Sequence, residues 1–275
     1  MIKPKKIEET QEDTTHRDRY SMVRKSNDLI QRYRADLNSP QFKITMYLIA
    51  KAYTFDENSE YTFDIQDFCR CCGLDDDSGG NYKRLKEEIK KLKDKSLWYE
   101  VYGNPDIEVT MSIINKAWIY KKSGKIKLRI DDDMKPYILK LKESWELQGI
   151  PYTQFALLYT LPMKSRYSIR LYELLKSWEK AGTHYWDIEE LKKLLNAETY
   201  ERTADFNRKV LKVAQSEINE LTDITISYEF EKEERSFKFV HFTIKPKEVD
   251  ERLKVDEVIF TQLDGQLGLD EFLKG

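Results

Sequence analysis

Residues 184–244 read HYWDIEELKKLLNAETYERTADFNRKVLKVAQSEINELTDITISYEFEKEERSFKFVHFTI, and their hydrophobic period changes along the way. HYWD is a short strand. Asp187 then favours the start of a helix whose apolar positions are Ile188, Leu191, Leu194 and Leu195. A second helix spans about Thr203 to Leu221, with Phe206, Val210, Ala214, Ile218 and Leu221 on one side and Arg208, Lys212, Gln215 and Asn219 on the other. ITISYEF (224–230) and SFKFVHFTI (236–244) are strands flanking the charged turn EKEER. Helix, helix, hairpin is the order of a winged helix-turn-helix.

The same order occurs upstream. EYTFDIQDFCRCCGL (60–74) sets Asp64-Ile65 in the place of Asp187-Ile188, and Ser78, Gly79 and Gly80 break the chain before a new helix. That helix, NYKRLKEEIKKLKDKS, turns Tyr82, Leu85, Ile89 and Leu92 inward and Lys83, Arg84, Lys90 and Lys91 outward. LWYEVYGNPDIEVTMSIINKAWIY (97–120) reads as its hairpin, with the turn at Gly103-Asn104-Pro105, and KKSGKIKLRI (121–130) as a further turn and strand. The expected fold is α+β, two tandem winged-helix domains.

At 275 residues, 40% of them apolar, the chain can bury two ordinary cores. No apolar run approaches the roughly 20 residues that span a bilayer, and the first residues lack a signal peptide's apolar core, so a cytoplasmic protein without membrane contact is expected. Cys69, Cys71 and Cys72 fit a reducing compartment; they read as buried or half-buried thiols rather than a metal site. The formal charge of −2 conceals an asymmetry: residues 248–275 hold eight acids and three bases, leaving +3 on the rest. Patches, not the sum, decide affinity for a phosphate backbone.

In order, residues 1–19 are polar and aperiodic, a disordered lead. Residues 20–140 form the first winged-helix domain, opening on a helix capped at Ser26 or Asn27 and a second after Asn38-Ser39-Pro40. Residues 141–247 form the second; Trp145, Tyr152, Phe155 and Tyr159 make its entry too apolar for a free linker, so packed units are expected. KSRYSIRLYELLKSWEKAG (164–182) is a helix with an apolar face of Tyr167, Leu171, Leu174, Leu175 and Trp178. Arg166 and Arg170 share a flank with Glu173, as a structural ion pair or as phosphate contacts. Residues 248–275 are an acidic disordered tail, in which Gln266-Leu267-Gly268-Leu269, with Phe272 one place late, resembles peptides that dock on bacterial sliding clamps.

VRKSNDLI (23–30), IRLYELL (169–175) and DIEELKKLL (187–195) resemble signature stretches of the iteron-binding plasmid replication initiators, the Rep proteins of theta-replicating plasmids. The resemblance spans roughly residues 20–247; the acidic tail and the Cys-x-Cys-Cys run depart from it. It implies a protein that binds direct repeats, the iterons, at a plasmid origin as a monomer. It further implies opening of the adjacent duplex, recruitment of host initiator and helicase, and dimerisation through the first domain with repression of its own gene.

A major groove admits an α-helix, and Arg, Lys, Gln and Asn read base edges or grip phosphates. In the second unit the base-reading candidates are Arg208, Lys212, Gln215 and Asn219, with Arg202 and Lys209 on phosphates. In the first, Lys83, Arg84, Lys90 and Lys91 face out beside Glu87 and Asp94, so backbone grip is expected there. Arg166 and Arg170 complete the candidates for double-stranded DNA. A solvated basic face is the plain alternative for either helix alone. Lys121, Lys122 and Lys125 make a better phosphate-facing turn than the acidic EKEER, beside which Lys238 and His241 lie. His16, His184 and His241 are isolated, and no GxxxxGK[ST] loop is present, so neither a catalytic residue nor a cofactor or metal is expected. A dedicated repressor binding an inverted repeat is the competing reading.

Overall fold

The computed structural model describes residues 11–55, 57–74, 79–101, 104–120 and 122–264. The chain opens with α1 (Gln11–Arg19), β1 (Met22–Ser26), α2 (Asn27–Arg32) and β2 (Arg34–Ala35). The first unit continues through α3 (Ser39–Ala50), β3 (Glu60–Asp64), α4 (Ile65–Cys71) and α5 (Gly79–Lys93). Two hairpins follow, β4 (Ser96–Val101) with β5 (Asn104–Ser112) and β6 (Ile114–Tyr120) with β7 (Lys125–Ile130). Then α6 (Lys135–Ile138), α7 (Leu141–Gln148) and β8 (Tyr152–Ala156) lead across to the second unit. It comprises α8 (Arg166–Ser177), β9 (Thr183–Asp187), α9 (Ile188–Leu194), α10 (Thr203–Phe206), α11 (Lys212–Leu221), β10 (Ile224–Glu233) and β11 (Ser236–Pro246), and α12 (Val249–Asp264) follows. The architecture is α+β, with two winged-helix units.

Local chemistry places the helix starts. The Ser26 hydroxyl accepts the Leu29 amide, Asn38 and Gln41 form a reciprocal capping box around Pro40, and the Ser165 hydroxyl accepts the amides of Tyr167 and Ser168. Asp187 accepts the amides of Glu189 and Glu190 at 2.8 and 3.3 Å.

The sheets show which hairpin is the first wing. In the second unit the strand order is β10-β11-β9, so the strand before the helix pair lies beside the hairpin's second strand. In the first unit the same relation holds for β6-β7-β3, whereas the β4/β5 hairpin joins β2 instead, through β4. The reading of 97–120 as one hairpin is therefore corrected: β4/β5 is an addition, and the counterpart of β10/β11 is β6/β7. The adjacent Ile113 and Ile114 are both buried, a break in the period of two that no single strand satisfies on one face.

Two further expectations are overturned. Within the lead read as disordered, residues 11–19 form α1, whose Arg19 is 2% exposed. Within the tail read as unstructured, residues 249–264 form α12, which buries Ile259 and Leu263. The two ends meet: Arg19 donates to Asp264 at 2.7 Å and to the carbonyls of Cys71 and Arg70, and the Tyr20 hydroxyl donates to Asp256 at 2.7 Å. α1, QEDTTHRDR, has no apolar side chain, and α12 buries few apolar side chains among many charges, so neither shows a clear helical period. Residues 1–10 and the Gln266–Phe272 pattern lie outside the described residues.

The units are packed together. β1 pairs antiparallel with β8, from Met22 opposite Ala156 to Ser26 opposite Tyr152. Phe155 and Tyr159 are buried, while Trp145 remains exposed. α8 packs against α11 on one side and α2 and α3 on the other, and the buried apolar residues of both units form one continuous core. All three cysteines lie in that core, where burial pushes the Cys71 thiol up to about 12.

Candidate nucleic-acid interface

In the second unit the apolar side of the third helix is as the spacing predicts: Phe206, Val210, Ala214, Ile218 and Leu221 are buried, and Leu211 joins them. Residues Asn207–Leu211 form a π turn, which advances less per residue than an α-helix and so turns the preceding segment relative to α11. Asn207 in this turn accepts the Tyr228 hydroxyl of β10 at 2.5 Å.

The π turn divides the face on which Arg208, Lys212, Gln215 and Asn219 were expected together. Arg208 is 69% exposed and pairs with Asp205 at 2.8 Å, holding that carboxyl below its usual range. Lys209 and Arg202 are exposed, Lys209 lying 5.6 Å from the Tyr200 ring centre. Lys212 is exposed and makes no ion pair among the described residues. Gln215 and Asn219 require a correction. Both donate side-chain amides to the Ile226 carbonyl, at 3.1 and 3.0 Å, and the Asn219 side-chain oxygen accepts the Ile226 amide at 2.6 Å. β10 is an edge strand, and these two amides satisfy backbone groups that its neighbour does not. They fasten the helix to its wing, and the exposed bases gather toward the N-terminal half.

In the first unit α5 buries Leu85, Ile89 and Leu92. Lys83 is exposed near the helix start. Lys90 and Lys91 lie near its end and bond Glu87 and Glu88 at 3.0 and 2.7 Å. The Arg84 and Tyr82 side chains and Lys121 lie outside the described residues. Lys122 and Lys125 are exposed where β6 turns into β7, so the phosphate-facing turn read from the sequence falls on the true wing. On the second wing, Lys238 pairs with Glu233 and His241 with Glu231.

Arg170 is not a phosphate contact. It is 2% exposed, and its guanidinium donates to Glu173 at 2.8 Å and to the Ile30, Tyr33 and Leu194 carbonyls. Glu173 is itself fully buried and also accepts Lys25 and, at 2.6 Å, the Tyr33 hydroxyl. Burial pushes the Glu173 carboxyl up, but the charges of Lys25 and Arg170 more than reverse this and hold it below the usual range. Burial lowers Lys25 despite its acidic partner. Arg166 is half-buried, donating to Asp36 at 3.1 Å, the Asn196 carbonyl at 3.1 Å and the Tyr167 hydroxyl at 3.3 Å. The ion-pair reading of this flank is the one the geometry bears out for Arg170. Lys25, Tyr33 and Asp36 were missed because their partners lie 59 to 160 residues away.

The histidines are dispersed. His184 stacks on Trp178 at 3.8 Å, and burial pushes its imidazole down to about 4. His16 packs on Phe260 at 4.4 Å. Among the described residues no group of three or more His, Cys, Asp or Glu is placed to hold a metal, and no helix is long and apolar enough to cross a membrane.

Two winged-helix units packed along a shared helix, each with exposed bases on its third helix, invite comparison with known proteins. A family profile described as Initiator Replication protein, WH1, matches residues 22–176, and one described as Initiator Rep protein, WH2, matches residues 187–244. The chain belongs to the initiator Rep family. Among solved structures this initiator is similar to the Pi initiator protein in complex with iteron DNA, at 21% identity and a TM-score of 0.66, over 84% of this chain and 99% of that one. At that identity the likeness shows a shared fold. A weaker similarity, 15% identity and a TM-score of 0.32 over 40% of the initiator and 86% of the other chain, is to the WH1 domain of MSBI1.176, a replication protein isolated from a multiple sclerosis patient. No curated protein matches by sequence. The family is one of DNA-binding replication initiators rather than a recognised enzyme family.

Proposed function

We propose that this initiator binds directly repeated sites at a plasmid origin as a monomer, both winged helices of one chain engaging one repeat. The observation that carries the reading is the pair of third helices, each presenting exposed bases: Arg208, Lys209 and Lys212 at the π turn and the start of α11, and in α5 Lys83 near its start, with Lys90 and Lys91 near its end engaged by glutamates. The N-terminal residues of a recognition helix are those that reach base edges in a major groove. Arg208 and Lys212 act as base readers, Lys209, Arg202, Lys83 and Arg84 as phosphate contacts, and Lys122 and Lys125 as the first wing's grip. Lys90 and Lys91 join them only by exchanging their glutamate partners for phosphate. Similarity to a protein crystallised with iteron DNA supports the choice of direct repeats.

In this reading the first unit spans residues 20–140 and the second 141–247, dimers form through the first unit, host initiator and helicase are recruited in the cytoplasm, and chemistry on DNA is left to those partners. The test is size-resolved binding of the purified protein to a duplex with one direct repeat and to one with an inverted repeat, across salt. One monomer per direct repeat, with affinity falling steeply as salt rises, is expected. Binding only as a dimer to the inverted repeat would replace the reading with a dedicated repressor.

A further inference from the structure

Two polar clusters cross the seam between the winged helices, both anchored on α8. The inner one is buried. Arg170 bonds Glu173 on its own helix, the Ile30 and Tyr33 carbonyls at the end of α2, at 2.7 and 2.8 Å, and the Leu194 carbonyl at the end of α9, at 3.3 Å. Its guanidinium carbon also sits 3.8 Å from the centre of the Tyr33 ring. Lys25 of β1 and the Tyr33 hydroxyl complete the shell around Glu173. One guanidinium thus holds the leading segment of the first unit and the first helix of the second unit's helix-turn-helix.

The other side of α8 reaches the end of the reading helix. The Tyr172 hydroxyl and the Lys176 ammonium donate to Asp223, just beyond α11, at 2.7 and 2.9 Å. The outer cluster centres on Asp36. It accepts Lys95, just beyond α5, at 2.8 Å, Arg166 of α8 at 3.1 Å, and the Asn196 side chain at 3.0 Å, in the turn after α9. Near their C-terminal ends, α5 is therefore tied through Lys95 to the Asp36 cluster that also binds α8, and α11 is tied to α8 directly through Asp223.

Apolar surfaces can slide over one another at small cost, whereas a planar fork on fixed carbonyls has direction. Well-packed apolar residues would serve stability as well as a buried ion cluster, so the geometry it specifies is what distinguishes it. We propose that the Arg170–Glu173 and Asp36 clusters are a joint that fixes the angle between the two reading helices, and thereby the spacing between the two DNA contacts that one monomer accepts. The spacing rests on the DNA-binding reading above; the angle does not.

The experiment has two arms. In the first, exposed positions Lys93→Cys and Glu220→Cys carry spin labels, the native thiols being buried, and the distance distribution is measured without DNA in the parent protein, in Asp36→Ala and in Glu173→Gln. One narrow distance in the parent, broadened or shifted in both variants, is expected. In the second, the same proteins bind duplexes whose two half-contacts are moved by single base pairs. The parent should lose about tenfold or more per step, on the scale of a mismatched base pair, and the variants only a few fold. Should Glu173→Gln not fold, Asp36→Ala decides, because its carboxylate lies at the surface. An unchanged distance distribution in a folded variant overturns the joint. A changed distribution in a protein that binds no duplex keeps the angle and overturns the DNA-binding reading and the spacing built on it.

Discussion

A Cβ added to Gly73 would stand 2.3 Å from the carbonyl oxygen of Leu263 and 2.6 Å from its Cα. Gly73 follows α4 in a left-handed conformation, φ +68°, and Leu263 lies in the last turn of α12, so the backbones of distant chain segments touch there. Gly73→Ala should strain the turn by about 1 kcal/mol and overpack the contact by about 1–3 kcal/mol, undocking α12 rather than unfolding either unit. Urea unfolding and the rate of tryptic cleavage after Arg252 and Lys254, both exposed on α12, measure this. Cleavage as slow as in the parent would mean that α12 is held elsewhere.

Asn219 accepts the Ile226 amide and shares the Ile226 carbonyl with Gln215, so its removal leaves that buried edge amide without its partner. Asn219→Ala is expected to destabilise the protein by about 1–3 kcal/mol while leaving the salt dependence of DNA binding unchanged. A folded, fully stable variant that loses preference for one base pair would restore Asn219 as a base reader.

Arg170 gives a parallel case in the core. Arg170→Ala takes from the buried Glu173 one of its two cations, leaving Lys25 and the Tyr33 hydroxyl, and opens the Ile30 and Tyr33 carbonyls; breaking such a buried cluster costs about 3–5 kcal/mol. Lysine lacks the fork, so Arg170→Lys should recover only part of the loss. Chemical denaturation of the three proteins decides it; a loss of DNA affinity at full stability would return Arg170 to the phosphate contacts.

How much of this was legible in the sequence follows from the range of each interaction. Strand, helix and hairpin periods are local, and the burial of Phe206, Val210, Ala214, Ile218 and Leu221 matches the helical spacing. Gln215 and Asn219 were misplaced because their partner is the backbone of Ile226 on the edge strand β10, which helical spacing does not reveal, and the π turn that holds Arg208 ahead of them has no signature in residue type. The wing was misassigned because sheet order depends on β3 finding β7, a pairing between chain segments far apart. The node at Asp36 joins residues from four parts of the chain, which no spacing rule connects.

His184 makes stability depend on pH. Its imidazole titrates at about 4 when folded against an ordinary 6.5, because burial beside Trp178 disfavours the charged form. The unfolded chain therefore binds the proton more tightly, so stability is full above about pH 6.5 and falls as pH drops from there toward 4. Since the ring is only half-buried, the loss should amount to roughly 1–2 kcal/mol after solvent screening. Urea midpoints at several pH values should show this limb, and His184→Phe should flatten it; an identical limb in the variant would assign it to the carboxylates.

The basic residues separate by how each loss scales with salt. Lys209→Ala and Lys83→Ala, as phosphate contacts, should each weaken binding and shallow the slope of log affinity against log salt by about 0.9, one released counterion apiece. Arg208 is the better base reader, since its fork can face a guanine edge once Asp205 lets go. Arg208→Ala should cost about 1–3 kcal/mol and relax selectivity at one base pair with less change in slope. Lys91→Ala should change the slope little, because Lys91 holds Glu88, whose carboxylate also accepts Asn38 and Gln41 beneath it. The assignment of α5 turns on this contrast: equal slope changes at Lys83 and Lys91 would mean that DNA contacts α5 along its whole length rather than at its start.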